Sequence, residues 1–201
     1  MTDPVDIQPL DPARWPDLCT LFGRNGANSG CWCMWWRLAA NEWTAGARAA
    51  ANEAGNGTKA AFERVVATGG PTGLLAYREG APVGWCAVAP RTDYPRLLRS
   101  PTIAPADPDD PGVWSVTCFF INRKQRRTGL GHALLDAAVG YAADGGATAV
   151  EGYPVDTGGV RGASGDYFTG TVTQFRRAGF TVVPPRAGAK PGKRVVMRRD
   201  L

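Results

Sequence analysis

The residues best placed to do chemistry form the run RRTGLG, residues 126–131, between the apolar segment VWSVTCFFI and a stretch of helical periodicity. The unpaired amides and the macrodipole at a helix start bind anionic phosphate without any side chain. Glycines let the backbone approach the ligand closely, and arginine forks add charge-assisted hydrogen bonds to its oxygens. The run therefore predicts a diphosphate-binding loop; the alternative is an ordinary surface turn.

Two other phosphate-binding motifs are excluded because residues that they require are missing. The dinucleotide-binding fingerprint needs a third glycine where this chain has Leu134. The P-loop needs Gly-Lys-Ser or Gly-Lys-Thr, and neither occurs in the sequence.

A strand–loop–helix–strand unit is predicted to hold this loop. Val113 to Ile121 is a continuous apolar run, typical of a central strand covered on both faces. Apolar residues at spacings of three and four then predict a helix that ends at the sequence DGG, residues 144–146. Ala147 to Tyr153 predicts a second strand, and the right-handed crossover rule makes it parallel to the first.

The flanking segments complete an α/β layout. Upstream, the patterns predict a strand over Val5 to Leu10 and then a helix that runs up to Phe22. They also predict a hairpin with a slightly long loop, whose two strands are Gly73 to Arg78 and Val83 to Ala89. Downstream, they predict a helix over Phe168 to Ala178. Two strands follow, over Thr181 to Val183 and over Arg194 to Arg198.

Composition narrows the class of protein. A length of 201 residues, 44% hydrophobic and 20% charged, suits one globular domain. No apolar run approaches the roughly 20 residues that span a bilayer, and the start lacks a basic leader, so a cytoplasmic protein is expected. The net charge of +5 suits a phosphate-rich partner, either a nucleic acid or an anionic cofactor.

The five cysteines are expected to be reduced thiols because their number is odd and no secretory signal precedes them. Cys31 and Cys33 form a single Cys-x-Cys pair, which offers too few ligands for a structural zinc, so no metal is expected. A nucleophilic Cys118 would permit a covalent acyl-enzyme, but a thiol on a central apolar strand is usually inert.

Arg126, Gly129 and Gly131 match the pattern of the GNAT superfamily of N-acetyltransferases, which is Arg or Gln, two residues, Gly, one residue, then Gly or Ala. The sequence also resembles that superfamily in element order over nearly the whole chain. The resemblance implies one domain over residues 1–201. Its implied fold class is α/β (α+β), with a mixed, mostly antiparallel central sheet whose central strands splay, flanked by helices.

The resemblance also implies a function, namely direct transfer of an acetyl group from acetyl-CoA to an amine of a small molecule or peptide. Backbone groups near two strand residues would pair with the pantetheine arm, and the following loop would hold the pyrophosphate. The implied donor-site residues are Phe119, Ile121, Arg126, Arg127, Thr128, Gly129, Leu130, Gly131 and His132.

The acid and the base of this reaction are less evident. Many members of the superfamily carry a tyrosine acid where this chain has Phe175. The central strand lacks a carboxylate, so Glu151 on the neighbouring strand becomes the nearest candidate for the base. The alternatives are that Glu151 is solvated or ion-paired and that water relays the proton. His132, the only histidine, is a weaker candidate.

On the acceptor side, the resemblance places residues 25–37 beside the acetyl group. Trp32, Trp35 and Trp36 would box an apolar or cationic acceptor, and the alternative is that they form core.

Two rival functions stay open. One keeps the fold with another donor, either a longer acyl-CoA or an aminoacyl-tRNA. The tRNA donor is considered because 19 of the 23 basic residues are arginine, which suits RNA binding. The other is a non-catalytic acyl-CoA-binding module. No DNA or membrane partner is expected, RNA is conceivable only with the aminoacyl-tRNA donor, and a homodimer is compatible with the sequence.

Overall fold

The structure is a computed structural model, and it describes residues 4–24, 26–27, 30–43, 57–158 and 164–201. Seven strands form one sheet in the order β1-β2-β3-β4-β5-β7-β6. The strands are β1 Asp6–Pro9, β2 Leu74–Arg78, β3 Ala81–Pro90, β4 Val113–Ile121, β5 Ala149–Gly152, β6 Thr181–Val183 and β7 Val196–Asp200. The helices are α1 Trp15–Phe22, α2 Gly57–Ala67, α3 Pro95–Leu98, α4 Leu130–Asp144 and α5 Val172–Arg177.

The sheet is mixed, as predicted. β4 and β5 are parallel, and every other neighbouring pair is antiparallel. Because α4 links β4 to β5, the predicted strand–loop–helix–strand unit is confirmed.

The centre of the sheet opens along β4. β5 pairs only with the first four residues of β4, from Val113 to Val116, so residues 117–121 extend beyond it. On the other side, Cys118 opposes Ala87 while Val116 opposes Val88, which leaves Thr117 as a bulge. A bulge bends a strand and increases its twist. Pairing between β4 and β5 therefore ends halfway along β4, at the place where the resemblance implied that the central strands splay.

Apolar side chains cover both faces of the sheet. On one face α4 buries six residues at helical spacing, namely Leu130, Leu134, Leu135, Ala138, Val139 and Ala142. Gly84 on β3 lets α4 approach, since a Cβ there would lie 3.0 Å from Leu134. On the other face, α1 and α2 pack Phe22 and Phe62 against Trp85. The helices on the two faces of the sheet therefore fix the position of β4 and of the start of α4.

Three predicted boundaries were wrong. The hairpin turn has only two residues, Glu79 and Gly80, both with positive φ, so β3 begins earlier than the predicted Val83. The predicted helix from Phe168 starts at Val172, because Ser164–Thr169 forms a 3-10 helix and the left-handed Gly170 separates the two. The last strand occupies Val196–Asp200 rather than residues 194–198. Among the described helices, none has the length and apolar character required to cross a bilayer.

We expect Gly152→Ala to destabilise the protein. A Cβ at this position would lie 2.0 Å from the ring of Phe175, so α5 must move away from β5. Overpacking of this kind costs about 1–3 kcal/mol. Urea unfolding followed by circular dichroism would measure the loss as a lower transition midpoint at unchanged slope.

Gly140→Ala is the matched control. Gly140 lies within α4, and a Cβ there meets nothing within 4 Å, so the same substitution is expected to stabilise the fold by about 0.5–1 kcal/mol. Equal stability of the two variants would contradict the close packing of β5 against α5.

Candidate functional site

The loop between β4 and α4 presents backbone amides to solvent. A 3-10 turn, Arg123–Gln125, follows β4, and the side chain of Asn122 accepts a hydrogen bond from the amide of Lys124 at 3.1 Å. Arg127 and Gly129 then adopt left-handed conformations, with φ of 66° and 83°. Within the described part of the chain, the amides of residues 127–131 donate to no backbone carbonyl. The predicted anion-binding array is therefore present as a geometry.

A cavity of about 370 Å³ lies beside this loop. It lies along the half of β4 that extends beyond β5, and it is bounded by β4, the start of α4, the 3-10 helix and α5. Its lining residues are Ala27, Cys118, Phe119, Phe120, Ile121, Arg126, Gly131, Tyr167, Phe168, Gly170 and Gln174. We call it the donor cavity.

Gly131 closes one wall of the donor cavity. The side-chain amide of Gln174 donates to the carbonyl of Gly131 at 2.8 Å, which ties α5 to the first turn of α4. A Cβ on Gly131 would lie 3.3 Å from both Gln174 Nε2 and Ile121 Cδ1. The second glycine of the motif therefore allows three elements to meet at the loop.

The predicted donor residues divide into two groups. Phe119, Ile121, Arg126 and Gly131 line the donor cavity. Five others do not: Arg127, Thr128 and Gly129 are exposed on the loop, Leu130 is buried in the core, and His132 is exposed with its Nε2 3.4 Å from the carboxylate of Asp136. For these five residues the donor role stays a prediction, and it would fall on the backbone of the loop rather than on side chains in the cavity.

A second cavity, of about 330 Å³, shares Ala27, Cys118 and Phe168 with the donor cavity. We call it the aromatic cavity. Its other lining residues are Cys31, Cys33, Trp35, Trp36, Trp43 and Arg194. The two cavities therefore meet at Cys118, next to the bulge in β4.

Of the three tryptophans predicted at the acceptor wall, Trp35 and Trp36 line the aromatic cavity. Trp32 does not line it. Its ring is buried in the core, 5.3 Å from Phe22 and 5.9 Å from Trp15 between ring centroids. For Trp32 the prediction of an acceptor contact is corrected to the core alternative.

A strained turn sets the directions of these side chains. Trp32 and Cys33 both have positive φ, 45° and 57°, and the amide of Met34 donates to the carbonyl of Cys31 at 2.9 Å. Left-handed backbone costs roughly 1–2 kcal/mol for each such residue. Core burial of Trp32 and a 3.1 Å hydrogen bond from the indole of Trp85 to Cys33 Sγ offset this cost.

Two of the thiols on the cavity walls, Cys31 and Cys118, are held in their neutral form. Burial, with a further contribution from Cys33, raises the pKa of Cys31 to about 12. A hydrogen bond with Cys33 and burial together raise the pKa of Cys118 well above its ordinary value. Since the thiolate is the nucleophile and the metal ligand, neither residue is activated. Within the described ranges, no three His, Cys, Asp or Glu side chains gather as a metal site requires.

Glu151 lies in a buried ion-pair network. Its carboxylate is 3.1 Å from Arg91 Nη1 and 3.5 Å from Arg198 Nη1, and it accepts a hydrogen bond from the hydroxyl of Tyr153 at 3.1 Å. Glu151 is 2% exposed and Arg91 is 0% exposed. Glu151 is not among the residues that line either cavity. These contacts favour the ion-pair alternative over the predicted role as a base.

Sequence patterns missed Gln174, Tyr167, Phe168 and Arg194 as cavity residues. One available signal was the capping-box spacing from Thr171 to Gln174, in which Thr171 accepts from the amide of Gln174 at 3.3 Å. It would have placed the start of α5 and set Gln174 in its first turn. The others carry no pattern, because the 3-10 helix and the segment before β7 reach the site only through the fold.

Phe175 occupies the position at which the superfamily often has a tyrosine acid. It is fully buried, with its ring centroid 5.0 Å from that of Phe180 and 6.2 Å from that of Phe119. It carries no proton to donate.

Comparison with known proteins supports the fold and identifies the family. The model of the Acetyltransferase (GNAT) family matches residues 32–156. Similar solved structures include a GNAT-family protein from Desulfovibrio desulfuricans, with 15% identity and a TM-score of 0.54. PaiA N-acetyltransferase from Thermoplasma acidophilum, in complex with coenzyme A, has 13% identity and a TM-score of 0.52.

Ribosomal-protein-alanine N-acetyltransferase from Brucella melitensis is similar at 15% identity, with a TM-score of 0.51. Each of the three alignments covers 98% of this chain and 99% of the other. No curated protein sequence matches the chain. Because the family model spans more than half of its residues, the chain belongs to the GNAT family of acetyltransferases.

Proposed function

We propose that the protein transfers an acetyl group from acetyl-CoA to a primary amine, without a covalent acyl-enzyme. The observation that carries this proposal is the meeting of two cavities at Cys118, one beside the amides of the α4 start and the other lined by aromatic rings. One cavity suits a long anionic donor and the other an apolar acceptor. The fold brings their inner ends together at one point.

The donor cavity offers each part of coenzyme A a partner. The pantetheine arm carries amides, and the edge of β4 from residue 119 to residue 121 has no strand partner on the β5 side among the described residues. The pyrophosphate suits the amides of residues 127–131 and the guanidinium of Arg126. The complex of the similar PaiA protein with coenzyme A supports this donor.

The chemistry is nucleophilic attack on a thioester. The amine nitrogen bonds to the acetyl carbon, the C–S bond breaks, and coenzyme A leaves as a thiolate. A thiolate is a good leaving group, so the absence of a hydroxyl on Phe175 weakens the acid step without preventing the reaction. The ammonium proton leaves through water, because no described carboxylate lines the aromatic cavity.

Gly129→Glu is expected to weaken acetyl-CoA binding at least about tenfold, the size of one hydrogen bond to a charged group. The substitution puts an anion at the amides that we assign to the pyrophosphate, at a position with φ of 83°. Isothermal titration calorimetry with acetyl-CoA measures the change.

Gly146→Glu is the control for this substitution. Gly146 follows the other end of α4, has φ of 82°, and likewise has no heavy atom within 4 Å of an added Cβ. It therefore reproduces the charge and the backbone strain away from the loop. Equal weakening in both variants would contradict the assignment of the loop.

Absence of acetyl-CoA binding by the folded wild type would contradict coenzyme A as the donor. It would favour aminoacyl-tRNA as the donor, which salt-dependent RNA binding would reveal.

Direct transfer makes a kinetic prediction. Initial rates with both substrates varied are expected to give intersecting double-reciprocal lines, because both must be bound before reaction, whereas an acyl-enzyme gives parallel lines. Cys118→Ala should lose less than about tenfold in kcat, far from the ~10⁴-fold or greater loss on removing a nucleophile. Cys19→Ala, outside both cavities, is the control. An acetylated Cys118 trapped by acid quench and found by mass spectrometry would overturn direct transfer.

Glu151→Gln is expected to lower the free energy of unfolding. It removes the buried carboxylate beside Arg91, which keeps its second ion pair, with Asp107 at 3.0 Å, so the loss is expected to be smaller than the cost of about 3–5 kcal/mol for a fully unpaired buried charge. Arg91→Gln breaks the same pair from the other side and should lower the free energy of unfolding by a similar amount. Chemical denaturation measures both. If the folded Glu151→Gln variant lost turnover while Arg91→Gln retained it, Glu151 would be the base and the ion-pair role would be wrong.

A further inference from the structure

A third cavity continues from the aromatic cavity towards the surface. Its volume is about 630 Å³, and it shares Trp35, Trp36 and Arg194 with the aromatic cavity. Arg96 and Arg99 lie on its wall. We call it the outer cavity. An acceptor with its amine at Cys118 and its body against the tryptophan wall would place its far end there.

The charged side chains on this path are all arginines. Arg194 lines both the aromatic and the outer cavity, and Arg96 and Arg99 line the outer one. No described Asp or Glu is among the lining residues of either cavity. The carboxylate of Glu42 lies beside the outer cavity, where it accepts a hydrogen bond from the amide of Ala39 at 2.8 Å, but the charged side chains that line the walls themselves are positive.

Two of these arginines are held in place by their neighbours. Arg96 lies 4.1 Å from the centre of the Trp35 ring and donates to the carbonyls of Leu38 and Ala39 at 3.2 and 3.3 Å. The guanidinium of Arg194 lies 5.0 Å from the Phe168 ring, and its Nε donates to Thr169 Oγ1 at 3.3 Å. Guanidinium groups fixed in this way bind a carboxylate with little loss of side-chain entropy.

Trp36 supplies an independent observation. Its side chain lines both cavities and is 8% exposed, yet its indole N–H has no acceptor among the described residues. An indole N–H only donates, and buried donors normally have a partner. A ligand atom that accepts hydrogen bonds, such as a carboxylate oxygen, would satisfy it.

A cationic acceptor does not suit this wall. Arg96 already lies over the ring of Trp35 and 5.8 Å from that of Trp43, so the protein's own cation takes the cation–π positions. A second cation there would be repelled at short range. The same positive side chains lower the pKa of a bound ammonium and favour the neutral amine that attacks the thioester.

We infer that the acceptor is a small amine with an aromatic or other apolar body and a carboxylate at the end remote from the amine. This inference rests on the proposed function, and it narrows the acceptor from any amine to an amino acid in the broad chemical sense. The amine lies at Cys118, the body against the wall that Trp35 and Trp36 form, and the carboxylate at Arg194.

Three amines on one ring system test the inference. They are 4-(aminomethyl)benzoate, its neutral amide 4-(aminomethyl)benzamide, and 1,4-bis(aminomethyl)benzene. They share the ring and one aminomethyl group and carry a negative, a neutral and a positive group at the far end; the rate of the diamine is divided by two because it has two equivalent amines. Release of coenzyme A thiol gives kcat/KM for each, and calorimetry with coenzyme A-saturated protein gives each affinity. The carboxylate is expected to exceed the amide about tenfold in both measurements, the size of one charge-assisted hydrogen bond. The diamine is expected to be the poorest.

Variants separate recognition of the carboxylate from a structural role. Arg194→Gln and Arg99→Gln are expected to reduce the ratio of carboxylate to amide, and Arg194→Glu to invert it in favour of the diamine. A variant that only damages the structure lowers kcat/KM for all three amines together and leaves the ratio of carboxylate to amide unchanged. Arg64→Gln, an exposed arginine on α2, is the control and should keep the wild-type ratio.

Equal affinity for the three amines, or preference for the diamine, would overturn the inference and leave the acetyl-CoA site standing. Failure of coenzyme A-saturated protein to bind the carboxylate more tightly than the amide would overturn it as well. Failure of the proposed function has a different signature, which is loss of acetyl-CoA binding by the wild type before any amine is added.

Discussion

The unequal pairing of β4 and β5 is the constraint on which the site depends. β4 has nine residues and β5 has four, so among the described residues the second half of β4 has no strand partner on the β5 side. An unpaired strand edge is normally a liability, because its amides and carbonyls seek partners. Here the edge forms a wall of the donor cavity, together with the helices beside it. α4 begins at the end of this edge, and α5 closes the space above it.

Glycines make that closure possible because they remove side chains where elements converge. Gly152 admits the ring of Phe175 against β5, and Gly131 admits Gln174 and Ile121 against α4. The loop between the strand and the helix can then expose its amides without losing its support. The anion binding that we propose for the site would therefore come from the backbone, with the charge of Arg126 added to it.

The acceptor side is built on a different principle. A left-handed turn at Trp32 and Cys33 divides the five residues from Trp32 to Trp36 between two environments. Trp32 goes into the core, while Trp35 and Trp36 face the cavities. Arginines from the far parts of the chain then stack on the aromatic rings. Positive charge on walls that no described carboxylate lines distinguishes this end of the site from the purely apolar wall that a tryptophan cluster suggests.

The sequence alone determined the elements whose signal is local. The apolar run of β4, the helical spacing of α4 and the glycine loop between them predicted the central unit, since strand and helix periods and helix-start chemistry act over a few residues. Tertiary structure decided what depends on distant parts of the chain. It paired Glu151 with Arg91 across the fold, buried Trp32, and brought Arg194 and Gln174 to the cavities. A residue's type restricts its possible partners, but only the packed chain fixes which of them lies within reach.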